Sequence, residues 1–193
     1  MNNKLIKKVS VCSIFGALGF ALMLREFPIP FIIPAFIKFD FSEIPAVIAT
    51  FAYGPSYGII VCLIKNLLHL TVTTTFGVGE LSNFILGAIF VGVAGVIYKY
   101  IHTRKGALLG TLIGAFSMAV LSIFTNYFIV YPFYAQVFMP METIINMYKD
   151  LLPVADNLWK ALIIFNLPFN LVKGIVDAAI CFVVYKKLSP ILK

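Results

Sequence analysis

Charged residues are scarce in this sequence: Asp, Glu, Lys and Arg make up 12% of its 193 residues, whereas 61% are hydrophobic. Soluble domains carry about 25% charged residues, so a surface this poor in charge suits lipid rather than water. The scarcity argues against a soluble domain, and the length leaves room for about six membrane crossings. The sequence therefore predicts an all-α integral membrane protein.

Recognisable catalytic and metal-binding motifs are also missing. The chain contains no GxSxG, no HExxH, no acidic metal cluster and no glycine loop for phosphate. Its three cysteines, Cys12, Cys62 and Cys181, lie in apolar segments at spacings that fit neither a metal site nor a disulfide framework. We therefore expect no catalytic residues, no metal and no bound cofactor, and any ATP-driven activity would need a separate subunit.

Apolar runs divide the chain into six predicted helices within a single domain, residues 1–193. Gly54-Pro55 marks a turn between two short runs, and Pro168 is expected to kink the last one. We read the first run as a retained span rather than a cleaved signal peptide. The predicted helices are about 9–24, 43–53, 55–70, 79–101, 107–131 and 159–187.

Two longer connections are distinctive. Residues 25–42 contain three prolines and five phenylalanines, which a solvated loop would not carry, so this loop is expected to fold onto the bundle as a lid. Residues 132–158 are predicted to be a loop that includes a short amphipathic helix.

The placement of charge predicts the orientation of the bundle. Six crossings put the N-terminus, the Gly54-Pro55 turn, residues 102–106 and the C-terminus on one side, where lysine and arginine are frequent and acids are absent. Positive charge favours the cytoplasmic side. We therefore expect both termini in the cytoplasm, and we attribute the net charge of +7 to this bias rather than to nucleic-acid binding.

Polar residues collect at the opposite ends of the predicted helices. Polar side chains at membrane depth are costly and usually face a cavity, so their convergence predicts an outward-opening pocket. Asn170 and Lys173 are three residues apart and share a helix face, which favours a role in ligand contact. The other members are Asp40, Glu43, Lys65, Asn66, His69, Glu80, Asn83, Asn126, Tyr127 and Asn166.

Structural roles remain open for several of these residues. Lys173 could pair with Asp177, one helical turn away, and Lys65 could pair with Glu80. Asp40 and Glu43 could cap the second helix. His69 and Asn66 could simply lie at the membrane interface.

Four stretches carry a resemblance to a known family. The chain resembles the S components, the substrate-binding subunits, of energy-coupling factor (ECF) vitamin transporters, and among them the riboflavin-specific members. The resemblance covers nearly the whole chain. Its most specific parts are residues 38–46 (KFDFSEIPA), 51–55 (FAYGP), 63–69 (LIKNLLH) and 77–83 (GVGELSN).

The resemblance implies a fold and a function. The fold would be the six-helix S-component fold, with a vitamin site on the outer side that is closed by the loop between helices 1 and 2. The chain would bind riboflavin as a transported ligand in the cell membrane of a prokaryote. It would dock on a transmembrane coupling subunit that works with two ATPase subunits.

The resemblance also implies residue roles. Glu43, Asn126, Asn170 and Lys173 would hold the polar groups of riboflavin. Residues 36–41 of the loop, with Phe39, Asp40 and Phe41 singled out, would line the pocket for its ring system. Ala17 and Ala21, four residues apart on one face of helix 1, would form the docking face for the coupling subunit. An S component for another vitamin, a small membrane-embedded enzyme and an assembly subunit are the alternatives.

Overall fold

The computed structural model describes the backbone of residues 3–192 and the side chains of residues 6–184. Helices dominate this part of the chain, and two strands of two residues each lie in the first loop. The α-helices are α1 (Asn3–Met23), α2 (Ile44–Tyr53), α3 (Pro55–His69), α4 (Val78–Tyr100), α5 (Arg104–Thr125), α6 (Tyr131–Val137), α7 (Met141–Leu151), α8 (Leu158–Ala161) and α9 (Leu167–Leu192). The strands are β1 (Phe27–Pro28) and β2 (Lys38–Phe39).

Five helical stretches of the described chain are long and apolar enough to cross a membrane, which confirms the prediction of an all-helical membrane protein. They are Ile6–Met23, Pro55–Val72, Val78–Tyr100, Arg104–Val137 and Leu158–Val184. The sixth predicted crossing corresponds to α2, which has only 10 residues. At 1.5 Å per residue it spans about 15 Å, half of a hydrocarbon core. Six full crossings therefore stay a prediction.

Helices α2 and α3 form an antiparallel hairpin. Gly54 turns the chain with φ of +107°, a conformation that a residue with a Cβ rarely adopts. Four residues later, a Cβ on Gly58 would lie 1.8 Å from Thr50 Oγ1, so glycine is required for the close approach of the two helices. The hairpin brings the start of α2 beside the last third of α3.

The bundle has two distinct ends. Lys8 Nζ lies 5.0 Å from the centre of the Tyr57 ring, and the α4 backbone at Gly95 lies against Pro55. The start of α1, the α2–α3 turn and the α4–α5 turn therefore share one end, which we call the inner end. The other end, with residues 24–43, 70–77 and the connection from α6 to α8, is the outer end. The start of α1, the Gly54-Pro55 turn and residues 102–106 agree with the predicted grouping of charges. The C-terminal lysines of that prediction lie outside the residues whose side chains are described, and the orientation in the cell stays a prediction.

The fifth predicted helix is longer than the sequence indicated. We expected it to end at residue 131, but α5 continues through a π-helical segment, Asn126–Val130, into α6, which ends at Val137. The ring of Pro132 would clash with the carbonyl group of residue 128 in a regular α-helix, and a wider π turn is a recognised way to relieve such a break. The predicted amphipathic helix in the following connection is α7, which buries Ile144 and Tyr148.

A π-helical segment also precedes the proline of the last long helical stretch. A second π-helical segment, Leu162–Asn166, joins α8 to α9 and ends two residues before Pro168. At the other end of the chain, α1 begins at Asn3 instead of at residue 9 and so includes the basic N-terminal segment.

The loop between α1 and α2 folds onto the outer end of the bundle, as predicted. Strands β1 and β2 pair Phe27 with Phe39, which closes the loop on itself. Ile33 is fully buried against the cluster that includes Tyr131 and Tyr148. The loop therefore fills the part of the bundle, toward the outer end, that the short helix α2 does not reach.

Candidate functional site

Two adjoining cavities lie at the outer end of the bundle. The larger, about 330 Å³, is bounded by the first loop and by the outer ends of α3 and α4, with His69, Glu80 and Asn83 in its wall. The smaller, about 170 Å³, lies between the loop, the first half of α4 and the last two long helical stretches. Phe36 and Lys38 of the loop line both cavities, so the loop forms a wall that the two cavities share.

The smaller cavity brings together three of the predicted ligand residues: Asn126, Asn170 and Lys173. Phe36, Tyr131 and Phe169 supply aromatic surface to the same wall. Asn126 is the first residue of one π-helical segment, and Asn170 lies four residues beyond the end of the other. The two interrupted helices thus place their amide side chains on one cavity.

The two amides have unused hydrogen-bonding capacity. Asn170 Nδ2 donates to the Asn166 carbonyl oxygen over 2.8 Å, which leaves its side-chain oxygen unengaged by the described residues. Between residues 6 and 184, no hydrogen-bond partner is found for the Asn126 side chain, although Asn126 is buried to 8% exposure. An amide offers both donors and an acceptor, so this wall could bind a ligand with hydroxyl or carbonyl groups.

Lys173 is buried and pairs with the loop. Its Nζ donates to Asp40 Oδ2 over 2.7 Å, and the two residues are 133 positions apart in the sequence. The alternative that Lys173 pairs with Asp177 is therefore wrong for this conformation. The ion pair ties the end of the loop to the helix that carries Asn170.

Asp40 lines the larger cavity and also organises the loop. Its Oδ1 accepts a hydrogen bond from the Ser42 amide over 2.8 Å. Burial raises the pKa of the Asp40 carboxyl, but the ammonium groups of Lys173 and Lys65 outweigh that effect and hold the pKa below its usual range. The ion pair with Lys173 therefore favours the ionised form of Asp40.

Glu43 belongs to a separate ion pair. Lys65 Nζ lies 2.6 Å from Glu43 Oε1 and also donates to Ser42 Oγ, while Cys62 Sγ donates to Glu43 Oε2 over 3.4 Å. The alternative pairing of Lys65 with Glu80 is therefore wrong. Glu43 occupies the N-cap position of α2 without a side-chain capping bond, and it lies outside the linings of the two outer cavities. Its contact with ligand stays a prediction.

Glu80 and His69 form a further polar cluster in the wall of the larger cavity. Glu80 Oε1 lies 2.8 Å from His69 Nδ1, and Glu80 Oε2 accepts hydrogen bonds from Thr73 and Thr75. Both residues are buried within the protein, and the depth of His69 relative to the membrane interface stays a prediction. The cluster fixes the connection between α3 and α4.

Phe39 and Phe41 pack within the loop and away from the cavities. Phe39 contacts Phe41 and, edge to face, Phe169 of α9, with ring centres 5.4 Å and 5.8 Å apart. Neither ring is part of the wall of the two outer cavities. Their predicted contact with a ligand ring is untested, whereas Phe36, from the same loop, already lines both cavities.

Sequence reasoning missed a buried hydrogen-bond network behind the smaller cavity. Tyr148 of α7 donates to Asn166 Oδ1 over 2.7 Å, Asn166 Nδ2 donates to Tyr131 Oη over 3.2 Å, and the two tyrosine hydroxyls are hydrogen-bonded to each other. A tyrosine in an amphipathic helix reads as a core residue, so the only available signal was Asn166 in an apolar run. The network holds α7 against the two helices that line the cavity.

The predicted docking residues lie on an accessible face. Ala17 and Ala21 of α1 are exposed, whereas Gly16 and Gly19 on the neighbouring face pack against Ile64 and Lys65 of α3. Small exposed side chains allow another helix to approach closely, although the partner itself stays a prediction.

No metal site is apparent in the described chain, since no group of three His, Cys, Asp or Glu residues is suitably placed. The three cysteines are buried and unpaired.

Comparison with known proteins gives concordant matches over the full length. The family model described as "ECF transporter, substrate-specific component" matches residues 7–185. The riboflavin transporter RibU of Staphylococcus aureus (strain TCH60) is 34% identical over 193 residues, which are 100% of this chain and 96% of that protein. The riboflavin transporter FmnP of Bacillus subtilis (strain 168) is 33% identical over 189 residues, 96% of this chain and 93% of its own length.

A solved structure, described as that of the S component of a bacterial ECF transporter, superposes with a TM-score of 0.77 at 34% identity. The superposition covers 98% of this chain and 99% of the other. Sequence and fold therefore point to the same family.

Proposed function

Since the chain belongs to the family of substrate-specific components of ECF transporters, we propose that it is the riboflavin-binding subunit of such a transporter in a prokaryotic cell membrane. Two full-length relatives, at 34% and 33% identity, are named riboflavin transporters. The chain would capture riboflavin at the outer end of the bundle and deliver it inward.

One observation carries the proposal: two side-chain amides with spare hydrogen-bonding capacity face a cavity with aromatic walls. Asn126 and Asn170 can serve the hydroxyl, carbonyl and imide groups of riboflavin, and Lys173 adds a cationic donor. Phe36 and Tyr131 match a flat ring system.

Energy would come from other subunits. We propose that the exposed Ala17 and Ala21 face of α1 docks on a transmembrane coupling subunit, and that two ATPase subunits drive that assembly. In this scheme the chain binds and moves its ligand but catalyses no reaction.

The proposal is tested by titrating the purified, detergent-solubilised protein with riboflavin and following the quenching of flavin fluorescence. We expect saturable quenching with one site per chain. Asn126→Ala and Asn170→Ala should each weaken binding about tenfold, because each removes a hydrogen bond inside a desolvated site.

Asn146→Ala is the matched control, since Asn146 lies exposed on α7 at the same end of the bundle. It should leave the affinity unchanged. Saturable binding of thiamine or biotin without any flavin quenching would instead assign the chain to another vitamin.

A further inference from the structure

Asp177 is a buried acid that the proposed site does not use. It is fully buried in α9, and both of its carboxylate oxygens lack a hydrogen-bond partner among the described residues. A buried carboxylate without a partner is strongly unfavourable, so its presence calls for a physical reason.

The nearest available cation is Lys173, one helical turn before Asp177. Residues four apart on a helix lie on the same face, about 6 Å apart at their Cβ atoms. Lys65 is also close enough to interact electrostatically, but Glu43 and Ser42 already engage its ammonium group. The long stem of Lys173 can reach toward either neighbour.

The first loop limits the space that a ligand can fill in the smaller cavity. That cavity measures about 170 Å³, and typical ligand pockets hold about 300 Å³ or more. Phe36, Ile37 and Lys38 of the loop form part of its wall. The loop also carries Asp40, so its displacement separates Asp40 from Lys173 and leaves a buried ammonium without its partner.

We propose that Asp177 is a positioning residue for Lys173, which exchanges Asp40 for Asp177 when the first loop leaves the bundle. With the loop closed, Lys173 holds Asp40 and Asp177 is unpartnered. With the loop open, the Lys173 ammonium pairs with the Asp177 carboxylate, so Lys173 has a counter-charge in both states of the loop. Asp177 thereby lowers the barrier to ligand access and release. The identity of the ligand in this proposal rests on the proposed function, whereas the motion of the loop does not depend on it.

The kinetic test uses stopped-flow riboflavin fluorescence on the full-length protein in detergent. Asp177→Asn removes the alternative counter-charge and preserves the shape of the side chain. Riboflavin enters and leaves only through the open state, and Asp177→Asn raises the free energy of that state relative to the closed free and closed bound states. We therefore expect the association and dissociation rate constants to fall together by about tenfold. The dissociation constant should change much less. Asp177→Glu restores the carboxylate and should restore both rates.

A ligand-free test separates the exchange from the proposed function. Hydrogen–deuterium exchange in peptides covering residues 33–42 reports how often the loop opens. Asp177→Asn should slow this exchange, whereas Asp40→Asn should accelerate it, because asparagine still accepts the Ser42 amide but no longer holds the Lys173 charge.

The outcomes are distinct. Unchanged rates in Asp177→Asn, or weaker affinity without slower rates, would overturn the exchange. If wild-type protein fails to bind riboflavin, the proposed function falls while the hydrogen-exchange comparison still decides the motion. If Asp177→Asn does not fold, Asp177→Ser, which is smaller and equally uncharged, replaces it in both tests with the same expected results.

Discussion

Two buried lysines in the described part of the bundle, Lys65 and Lys173, have opposite settings. Lys65 is fully buried and engages Glu43 and Ser42, with Cys62 completing the group, all within the α2–α3 hairpin and the residues just before it. Lys173 lines a cavity, makes one ion pair with a loop residue 133 positions away, and has an unpartnered acid one turn further along its helix. The first lysine holds the scaffold together, and the second connects the scaffold to the first loop.

The largest expected effect breaks the scaffold pair. Lys65→Met would leave the Glu43 carboxylate buried without a counter-charge, which typically costs about 3 to 5 kcal/mol of unfolding free energy. Thermal unfolding in detergent, followed by circular dichroism, should show a large fall in Tm or a loss of folded protein. Lys160→Met is the control, because Lys160 is exposed and its pair with Asp156 is solvated. A Tm equal to that of the control would contradict the scaffold role of Lys65.

Lys173→Met should separate function from stability. The dissociation constant for riboflavin should rise about tenfold to hundredfold, as expected for the loss of a hydrogen bond from a charged donor. The fall in Tm should be smaller than for Lys65→Met, because Asp40 keeps the Ser42 amide and the nearby charge of Lys65. The contrast between the two lysines would be contradicted if Lys65→Met and Lys173→Met lowered the Tm and the riboflavin affinity in the same proportion.

The smallest expected effect concerns pH. The pKa of Asp40 lies below its usual range in the folded protein, so the carboxylate stabilises the closed loop at every pH above its unfolded pKa of about 3.9 and loses this effect only as the pH falls through the lower, folded value. The riboflavin dissociation rate should therefore stay flat from about pH 8 to about pH 5.5. Faster release between pH 8 and pH 5.5 would contradict this role of Asp40.

Much of the architecture follows from the sequence because apolar length and proline position are local properties. The run of apolar residues, the Gly54-Pro55 turn and the phenylalanine-rich loop each predict their own element. The gathering of Asn126, Asn170 and Lys173 also followed, because helix ends on one side of a membrane must share a surface.

Pairing partners could not be predicted in the same way. Sequence spacing offered Asp177 as an alternative partner for Lys173 and Glu80 for Lys65, whereas the actual partners are Asp40 and Glu43. These partners depend on how deeply the loop descends. Pro132 likewise reads as a helix end, and only the π-helical segment before it allows the helix to continue. Both errors concern tertiary effects that override a local signal.

The short helix α2 has a consequence for the distance that a ligand travels. Because α2 covers only about 15 Å of a hydrocarbon core about 30 Å thick, the outer half of the membrane at this position is replaced by a loop and its cavities. A molecule held beside Asn170 and Lys173 would already lie near the midplane of the bilayer. About half of the hydrocarbon core would then separate such a molecule from the inner end of the bundle.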